Sequence, residues 1–283
     1  MNAVDDPSRI ARLVRQHAET SRLLGVDFVP SFRSGDSSLT ECKPVSASRP
    51  APVLSADEPK AVPEREARGV PHAEPAIDPD DAAGAQARLD ALRERYINDA
   101  PHEQFETAHT SIVFGEGDPA ARLMFIGEAP GADEDRIGRP FVGKSGQLLD
   151  KMIVAMGLTR ESVYIANVLK TRPPGNRTPT IEEARLCAPY LYEQIRIVAP
   201  EIIVTLGKSA GQLLLGTSDS MGAMRGKWAS FPPPSPLVPV EGMAPIAVMP
   251  TYHPAFLLRS YTAENRGKVW ADLKLVMDRL GLT

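Results

Sequence analysis

The sequence predicts an α/β protein, a three-layer α/β/α sandwich with a central four-stranded, mostly parallel sheet. Four short apolar runs show little alternation of apolar and polar positions, as is typical of parallel strands buried on both faces. Helical patterns separate these runs, and strands that alternate with helices favour a parallel sheet covered on both sides. With 283 residues, 42% of them hydrophobic, the chain is long enough for one sizeable domain and additional segments.

The predicted strands and helices alternate along the second half of the chain. Apolar runs rich in Ile, Val, Leu and Met predict strands at residues 122–128, 163–170, 201–207 and 246–252. Apolar residues at helical spacing predict helices at residues 87–97, 146–158, 180–200, 208–216 and 265–281.

The sequence before this α/β region divides into two segments. Residues 1–29 are predicted to form an N-terminal helix, because apolar side chains recur on one face and Gly25 follows as a C-cap glycine would. This helix could bind a partner or fold back on the main domain. Residues 30–80 hold nine prolines and few large apolar side chains, which predicts a disordered Pro/Ala-rich linker. Residues 81–283 then form the globular domain.

Charge and cysteine content restrict the classes of function. The net charge is −4, but residues 136–283 carry 18 Lys and Arg against 11 Asp and Glu. This excess permits a basic binding face, although charges scattered along solvated helices would give the same count. Two cysteines, Cys42 and Cys187, are too few for a disulfide framework or a four-cysteine metal site. Without a signal-peptide core or an apolar run of about 18 residues, we expect a cytoplasmic protein outside the membrane.

One segment, GRPFVGKS at residues 138–145, matches the phosphate-binding loop pattern G-x-x-x-x-G-K-[ST]. A phosphate-binding loop directly follows a strand and offers converging backbone amides. Here the predicted strand ends about ten residues earlier, and Pro140 has no N–H to donate. Residues 201–207 also contain no acid that could hold magnesium. We therefore expect no nucleoside triphosphate hydrolysis.

Three polar motifs follow predicted strands. They read GEAPGADED at residues 127–135, NVLKTRPPGN at residues 167–176 and PTYHPAFLLR at residues 250–259. In a parallel sheet the carboxyl ends of the strands lie at one edge, which is where ligands bind. The sequence thus predicts one site built from all three motifs.

The order and spacing of these motifs resemble the family 4 uracil-DNA glycosylases, over roughly residues 110–283. The resemblance treats GRPFVGKSG as an element of that family and implies a uracil-DNA glycosylase-like fold. It implies a hydrolase that flips deoxyuridine out of DNA and hydrolyses its N-glycosidic bond, which initiates base excision repair. The alternative is a non-catalytic or altered-substrate DNA-damage binding protein on the same scaffold.

The resemblance assigns three residues to the uracil base. Phe141 would stack on the flipped base, Asn167 would hydrogen-bond uracil N3–H and O4, and His253 would stabilise the uracil anion near O2. An amide oriented for uracil meets a donor where cytosine carries N4, and so rejects cytosine. The ordinary alternatives are a core phenylalanine, a capping asparagine and a structural histidine. An asparagine inside an apolar strand is costly without a partner, which favours the functional interpretation.

The first motif supplies candidate catalytic carboxylates. Glu128 and Glu134 are both candidates: one would position water or stabilise the sugar cation, and the other would shape the pocket against the thymine methyl group. Family 1 glycosylases carry an aspartate where this chain has Ala129, so the water-activating group stays open. Backbone amides around Ala129 and Gly131 would hold a uracil oxygen.

Contacts with the DNA backbone and the gap left by the base are also implied. Residues 255–259 would form a wedge in the minor groove, with either leucine able to insert. Each basic or hydroxyl side chain near the motifs could equally be an ordinary surface group. The predicted DNA-binding residues are Lys144, Ser145, Lys170, Arg172, Lys208, Ser209, Leu257, Leu258 and Arg259.

The chain departs from the family at its iron–sulfur cluster. The resemblance implies four cysteine ligands for a 4Fe-4S cluster, of which only Cys187 is present, while Thr171 stands at the third position. We predict that no cluster forms, and that packing or an ordered segment near residues 97–115 replaces it. A site using His102 and His109 is the less favoured alternative. The motif after Asn167 contains no histidine, which argues against the related branch that links covalently to uracil.

The expected partners follow from the same resemblance. We expect uracil-containing DNA as substrate, no membrane association and a monomer. Residues 1–80 could tether a repair or replication partner. The sequence leaves open the preference for single or double strands and for U:G or U:A pairs.

Overall fold

A computed structural model describes residues 82–282, and a mixed, six-stranded sheet lies at the centre of this part of the chain. The predicted N-terminal helix (residues 1–29) and linker (residues 30–80) lie outside the described residues. The strands are β1 (Glu116–Gly117), β2 (Leu123–Gly127), β3 (Tyr164–Asn167), β4 (Ile202–Leu206), β5 (Ala229–Phe231) and β6 (Ile246–Thr251).

The strand order across the sheet is β1-β3-β2-β4-β6-β5. The four central strands pair in parallel, which confirms the four predicted strands and the parallel sheet. The two edge strands, β1 and β5, are antiparallel and were not predicted. They are two and three residues long, too short to show a recognisable apolar pattern.

Helices cover both faces of the sheet. The five helices predicted between residues 87 and 281 are all present, whereas three α-helices of four to six residues in the described part of the chain are not predicted, because they complete too few turns to show periodicity. No helix described between residues 82 and 282 is long and apolar enough to cross a membrane. The helices are α1 (Ala82–Asp99), α2 (Ala132–Ile137), α3 (Lys144–Ala155), α4 (Ile181–Val198), α5 (Lys208–Leu215), α6 (Met221–Met224), α7 (Pro254–Arg259) and α8 (Ala263–Leu280).

Successive side chains of β2 divide between two hydrophobic cores. Met124 and Ile126 pack with α1 and α4 on one face, whereas Leu123 and Phe125 pack with α3 and α8 on the other. All five residues of β2 are buried, as expected for a strand with helices on both sides. This arrangement forms the predicted three-layer α/β/α sandwich.

The central strands present their carboxyl ends at one edge of the sheet. Gly127 and Asn167, the last residues of β2 and β3, are paired in register, and so are Leu206 and Thr251 at the ends of β4 and β6. The chain passes from β2 to β3 on one side and returns to β4 on the other. Such a reversal of strand order opens a crevice at the carboxyl ends, where α/β proteins bind ligands.

Candidate active site

A cleft opens at the carboxyl ends of the central strands, as the three motifs predict. Side chains from different elements line it together, because the loops after β2, β3, β4 and β6 converge there. Glu128, Phe141, Asn167 and His253 all line this cleft. The sequence motifs therefore form one site in space.

Asn167 lies at the bottom of the cleft, at the end of β3. Its side chain is buried, and Oδ1 has no hydrogen-bond partner among residues 82–282. The neighbouring strand offers Gly127, where an added Cβ would lie only 2.3 Å from this oxygen. A buried carbonyl oxygen without a partner costs about 1–3 kcal/mol, so this amide is set up to receive a donor from a ligand.

Phe141 forms a wall of the cleft next to Asn167. Its ring centroid lies 5.7 Å from that of His253, and the ring planes are tilted by 32°. A Cβ on Gly127 would lie 2.5 Å from Phe141 Cζ, so the glycine admits both the ring and the amide. Phe141 also has a positive φ of 50°, which L side chains rarely adopt.

His253 caps the N-terminus of α7. Its Nδ1 accepts a hydrogen bond from the backbone amide of Ala255 at 3.0 Å, so the ring proton of the neutral imidazole lies on Nε2. Burial, with a smaller effect of Arg259, lowers the pKa of His253 to about 4, and Glu134 opposes the shift. The imidazole is therefore neutral at pH 7 and donates through Nε2.

Glu128 follows β2 and lines the same cleft. Burial raises the pKa of its carboxyl group, while hydrogen bonds with Ser209 and Thr178 act in the opposite direction. Ser209, which is predicted to contact phosphate, lies close enough to Glu128 to act on the pKa of its carboxyl group. Glu128 thus lies in a partly buried, polar part of the cleft.

Glu134 occupies the backbone amides of the GRPFVGKS loop. Its Oε1 accepts from the Val142 and Gly143 amides at 2.9 Å each, and Oε2 accepts from the Gly131 amide at 3.2 Å. The amides that would face a phosphate thus bind a carboxylate of the same chain. The Gly131 amide, which is expected to hold a uracil oxygen, donates a hydrogen bond to Glu134 Oε2 in this structure.

Lys170 does not reach the surface, so its predicted phosphate contact is wrong. The side chain is fully buried behind the cleft, and Nζ donates to the main-chain oxygen of Asn167 at 2.8 Å and to Gln194 Oε1 at 2.5 Å. Nζ also lies 5.4 Å from the centre of the Phe114 ring. Burial lowers the pKa of Lys170 to about 7. Lys170 therefore supports the strand end that carries Asn167.

The two leucines of the predicted wedge differ in burial. Leu257 is 3% exposed and packs in the core, which rules it out as the inserting side chain, whereas Leu258 is 44% exposed. Among the other predicted DNA contacts, Lys144, Lys208 and Arg259 are exposed, Ser145 is half-buried at the first turn of α3, and Arg172 is half-buried with Nε 2.7 Å from Asn176 Oδ1.

The region around Cys187 and Thr171, where the resemblance implies cluster ligands, is filled by aromatic side chains. Tyr96 is fully buried, and its hydroxyl lies 3.9 Å from Cys187 Sγ, with Thr171 nearby. Its ring stacks on His102 at 5.4 Å and meets Tyr190 edge-on at 5.0 Å.

These residues do not fit a four-thiolate cluster. The sequence has two cysteines, and among residues 82–282 no three His, Cys, Asp or Glu side chains are placed to hold a metal ion. His102 and His109 contact each other edge-on at 4.8 Å instead of forming such a group. Burial also raises the pKa of the Cys187 thiol to about 11, which disfavours the thiolate that a metal requires.

Tyr96 is expected to contribute strongly to stability because it fills this region. Tyr96→Ala should lower the free energy of unfolding by about 3–5 kcal/mol, measured by denaturant titration, since it leaves a large cavity. Tyr96→Phe keeps the ring and should have a much smaller effect. Tyr261, whose side chain is 49% exposed, provides the control, and its replacement by alanine should change stability by about 0.5 kcal/mol or less. A small effect of Tyr96→Ala would contradict the packing role.

Two further contributors to the site were not predicted from the sequence. Arg177 lines the cleft and pairs with Glu183 at the start of α4, with Nη1 2.8 Å from Oε2. Arg160 lies behind Phe141 and binds its main-chain oxygen. The GRPFVGKS pattern gives no sign of Arg160, which is 19 residues from Phe141 in the sequence.

The fold and the cleft define a uracil-DNA glycosylase scaffold, and the sequence model of the Uracil DNA glycosylase superfamily matches residues 114–274. The chain is 42% identical over 166 residues to the type-4 uracil-DNA glycosylase of Thermotoga maritima, which covers 58% of this chain and 81% of the relative. It is 46% identical over 174 residues to the type-4 uracil-DNA glycosylase of Sulfurisphaera tokodaii, covering 60% and 74%. The protein therefore belongs to the type-4 uracil-DNA glycosylases.

Proposed function

We propose that this chain excises uracil from DNA by flipping deoxyuridine into the cleft and hydrolysing its N-glycosidic bond. The observation that carries this proposal is the buried Asn167 amide with an unpaired Oδ1, set beside an aromatic ring and a neutral histidine. Uracil offers the complementary groups, namely a flat face, an N3–H donor and two carbonyl oxygens. Enzymes that act on a base remove it from the stack and read its edge in this way.

Base recognition involves Phe141 and Asn167. The Phe141 ring stacks on the flipped pyrimidine. Asn167 Oδ1 accepts a hydrogen bond from uracil N3–H, and the Asn167 amide nitrogen donates one to uracil O4. Cytosine has an unprotonated N3 and an amino group at position 4, so both contacts become repulsive. A buried site built for one hydrogen-bond pattern discriminates strongly, because the wrong base leaves its polar groups unpaired.

His253 stabilises the leaving group, which is the uracil anion. When the bond between C1′ and N1 breaks, its electron pair goes to uracil and negative charge develops on the ring and O2. A neutral imidazole with its proton on Nε2 donates to that oxygen without carrying a charge into the cleft. Donors aimed at developing charge in a site shielded from water are among the largest contributions to catalysis.

Glu128 is the carboxylate that orients the attacking water. Glu134, the other candidate for this role, already accepts hydrogen bonds from three backbone amides. Glu134 is therefore a positioning residue for the loop. Glu128 lines the cleft, with the Ser209 and Thr178 hydroxyl groups near its carboxyl group. The water oxygen forms the new bond to C1′, and its proton passes to Glu128 or to solvent. The backbone amide of Ala129 remains the candidate donor to a uracil oxygen.

DNA is held by the basic side chains around the cleft mouth and by Leu258. Lys144, Lys208 and Arg259 are placed to contact phosphates, and Arg172 and Ser145 would add contacts at the rim. Leu258 would enter the stack from which the base departs. The chemistry as proposed uses no iron–sulfur cluster, and a monomer suffices for it.

Leu258→Ala is expected to lower excision from duplex DNA several-fold while uracil is excised from single-stranded DNA at the wild-type rate. Only the duplex leaves a gap for the side chain to fill, and loss of an exposed leucine should change stability by about 0.5 kcal/mol or less. Leu257→Ala is the matched control, since loss of that buried neighbour should destabilise the fold by about 2–5 kcal/mol. Equal effects of Leu258→Ala on both substrates would contradict the wedge assignment.

The proposed function is tested by measuring release of free uracil from oligonucleotides that carry one uracil. Single-stranded, U:G and U:A substrates are incubated with the protein, and the free base is quantified beside alkaline cleavage of the abasic product. We expect release from at least one substrate and none from matched oligonucleotides with cytosine or thymine. Folded protein that releases no uracil but binds damaged DNA would instead favour the non-catalytic alternative.

A further inference from the structure

We propose that Arg160 is a positioning residue that holds Phe141 in its base-stacking conformation by binding the main-chain oxygens of Pro140 and Phe141. This inference rests on the proposed stacking role of Phe141. Arg160 lies in a short 3-10 turn at Arg160–Ser162, between α3 and β3, behind the cleft and outside its lining.

The guanidinium of Arg160 uses all its nitrogen atoms at once. Nη1 donates to Phe141 O at 3.2 Å and to Asp150 Oδ1 at 2.7 Å, while Nη2 donates to Pro140 O. Nε donates to Glu116 Oε1 at 2.7 Å. Only a planar guanidinium can bind two carboxylates and two adjacent carbonyl groups in this fixed geometry.

The carboxylates anchor the guanidinium. Glu116 also pairs with Arg139 of the GRPFVGKS loop, whose Nε lies 2.6 Å from Oε2, and the Arg160 side chain is only 15% exposed. Because both carboxylates belong to elements other than the loop, β1 and α3, Arg160 ties the loop to the rigid part of the fold. The side chain therefore defines where the two carbonyl groups lie.

Phe141 needs such support because its backbone is strained. A φ of 50° is unfavourable for a residue with a large side chain, and such conformations persist only when the surroundings enforce them. The same carbonyl group also packs against Gly146, where an added Cβ would lie 1.9 Å from Phe141 O. Arg160 and the glycine thus confine one peptide group whose side chain forms the stacking wall.

Arg122 is an arginine with a purely structural role, and it can be compared with Arg160. Arg122 pairs with Glu201, with Nη2 3.1 Å from Oε2, and also donates to the main-chain oxygen of Leu280 at 3.1 Å. Arg122 does not line the cleft. It therefore offers a matched control with the same residue type and the same kinds of partner.

The expected result for Arg160→Ala is a tenfold or greater loss of kcat/KM on uracil DNA, since base–aromatic stacking has about that effect on affinity. Binding to DNA with a stable abasic-site analogue should stay at the wild-type level, because that ligand has no base for Phe141 to contact. A general loosening of the fold would weaken both. Arg122→Ala should leave kcat/KM and abasic-site binding unchanged.

A double-mutant cycle identifies the residue through which Arg160 acts. If it acts through the Phe141 ring, Arg160→Ala should add little loss in a Phe141→Ala background, whereas independent contributions would multiply. Arg160→Lys should recover only part of the activity, because an ammonium group cannot hold both carbonyl groups and both carboxylates. Multiplicative losses, or full recovery with lysine, would overturn the proposal.

A third variant covers the possibility that Arg160→Ala does not fold. Gly146→Ala displaces the same carbonyl group through a different contact, although alanine favours a helix over glycine by about fivefold in the local equilibrium. It should lower kcat/KM and spare abasic-site binding, and wild-type kinetics from folded Gly146→Ala would overturn the proposal. If wild-type protein releases no uracil, the proposed function fails. If it does and Phe141→Ala impairs release while Arg160→Ala does not, only this inference fails.

Discussion

Asn167→Ala should reduce kcat/KM for uracil release by on the order of 10³ while leaving the protein at least as stable as the wild type. The loss of activity follows because the amide supplies both an acceptor and a donor to the base, and such sites discriminate strongly. The stability is maintained because Asn167 Oδ1 has no partner among residues 82–282, so its removal breaks no hydrogen bond that residues in this part of the chain make. Rates are measured by single-turnover excision and stability by denaturant unfolding.

The opposite signs of these two effects separate a ligand-binding amide from a structural one. If Asn167 had only a structural role, its replacement by alanine would destabilise the protein, and activity would fall only because less protein is folded. Gln212, an exposed amide that donates to Asp219 O at 2.9 Å outside the cleft, is the control and should show wild-type activity as alanine. Wild-type excision from folded Asn167→Ala would rule out Asn167 as the uracil-reading residue.

The central strands and the three motifs could be predicted from the sequence because both follow from local composition. Strands buried on both faces need continuous apolar runs, and β2, β3, β4 and β6 have them. Asn167 stood out since a polar amide within such a run is costly unless it has a use. The convergence of the motifs followed from the parallel arrangement, which brings the strand ends to one edge.

The roles of the basic residues could not be predicted, because they depend on distance in space. Lys170 and Arg172 are two positions apart in the sequence, yet Lys170 is fully buried and Arg172 reaches the surface. Leu257 and Leu258 are adjacent in the sequence, yet Leu257 is buried and Leu258 is exposed. Neighbouring residues of a helix face different directions, and the sequence does not show which of them faces the core. Arg160 carries no motif at all, and its role appears only when its partners are located.

The GRPFVGKS segment shows how a correct pattern can indicate a different chemistry. The loop does open a helix at Lys144 and does present converging amides. What decides its function is Glu134, whose carboxylate fills the place of an anion and which no loop pattern includes. An internal carboxylate in the amide cradle would repel phosphate, and it leaves Phe141 as the loop's contribution to the cleft.

His253 is expected to donate a hydrogen bond as a neutral imidazole. Replacing it by uncharged residues therefore tests whether a neutral donor is enough for excision. His253→Asn keeps an N-cap acceptor for α7 but has no group that reaches as far as Nε2, so stability should be retained while excision falls on the order of 10²–10³. His253→Gln carries an amide N–H at about the reach of Nε2 and should recover part of that loss. Single-turnover rates on one substrate measure both variants.

The pH dependence then tests whether the donor is neutral. With the folded-state pKa of His253 near 4, this histidine should contribute no acidic limb to the wild-type rate near 6.5, the ordinary value for histidine. Between these pH values the unfolded chain binds the proton more readily, so the contribution of His253 to stability is present above pH 6.5 and is lost as the pH falls towards 4. His253→Gln, which cannot titrate, should lose less stability than the wild type over that interval. The wild-type excision rate could instead rise on acidification through pH 6.5 while that of His253→Gln does not. This result would show that the imidazolium is the active form, and the neutral-donor mechanism would then be wrong.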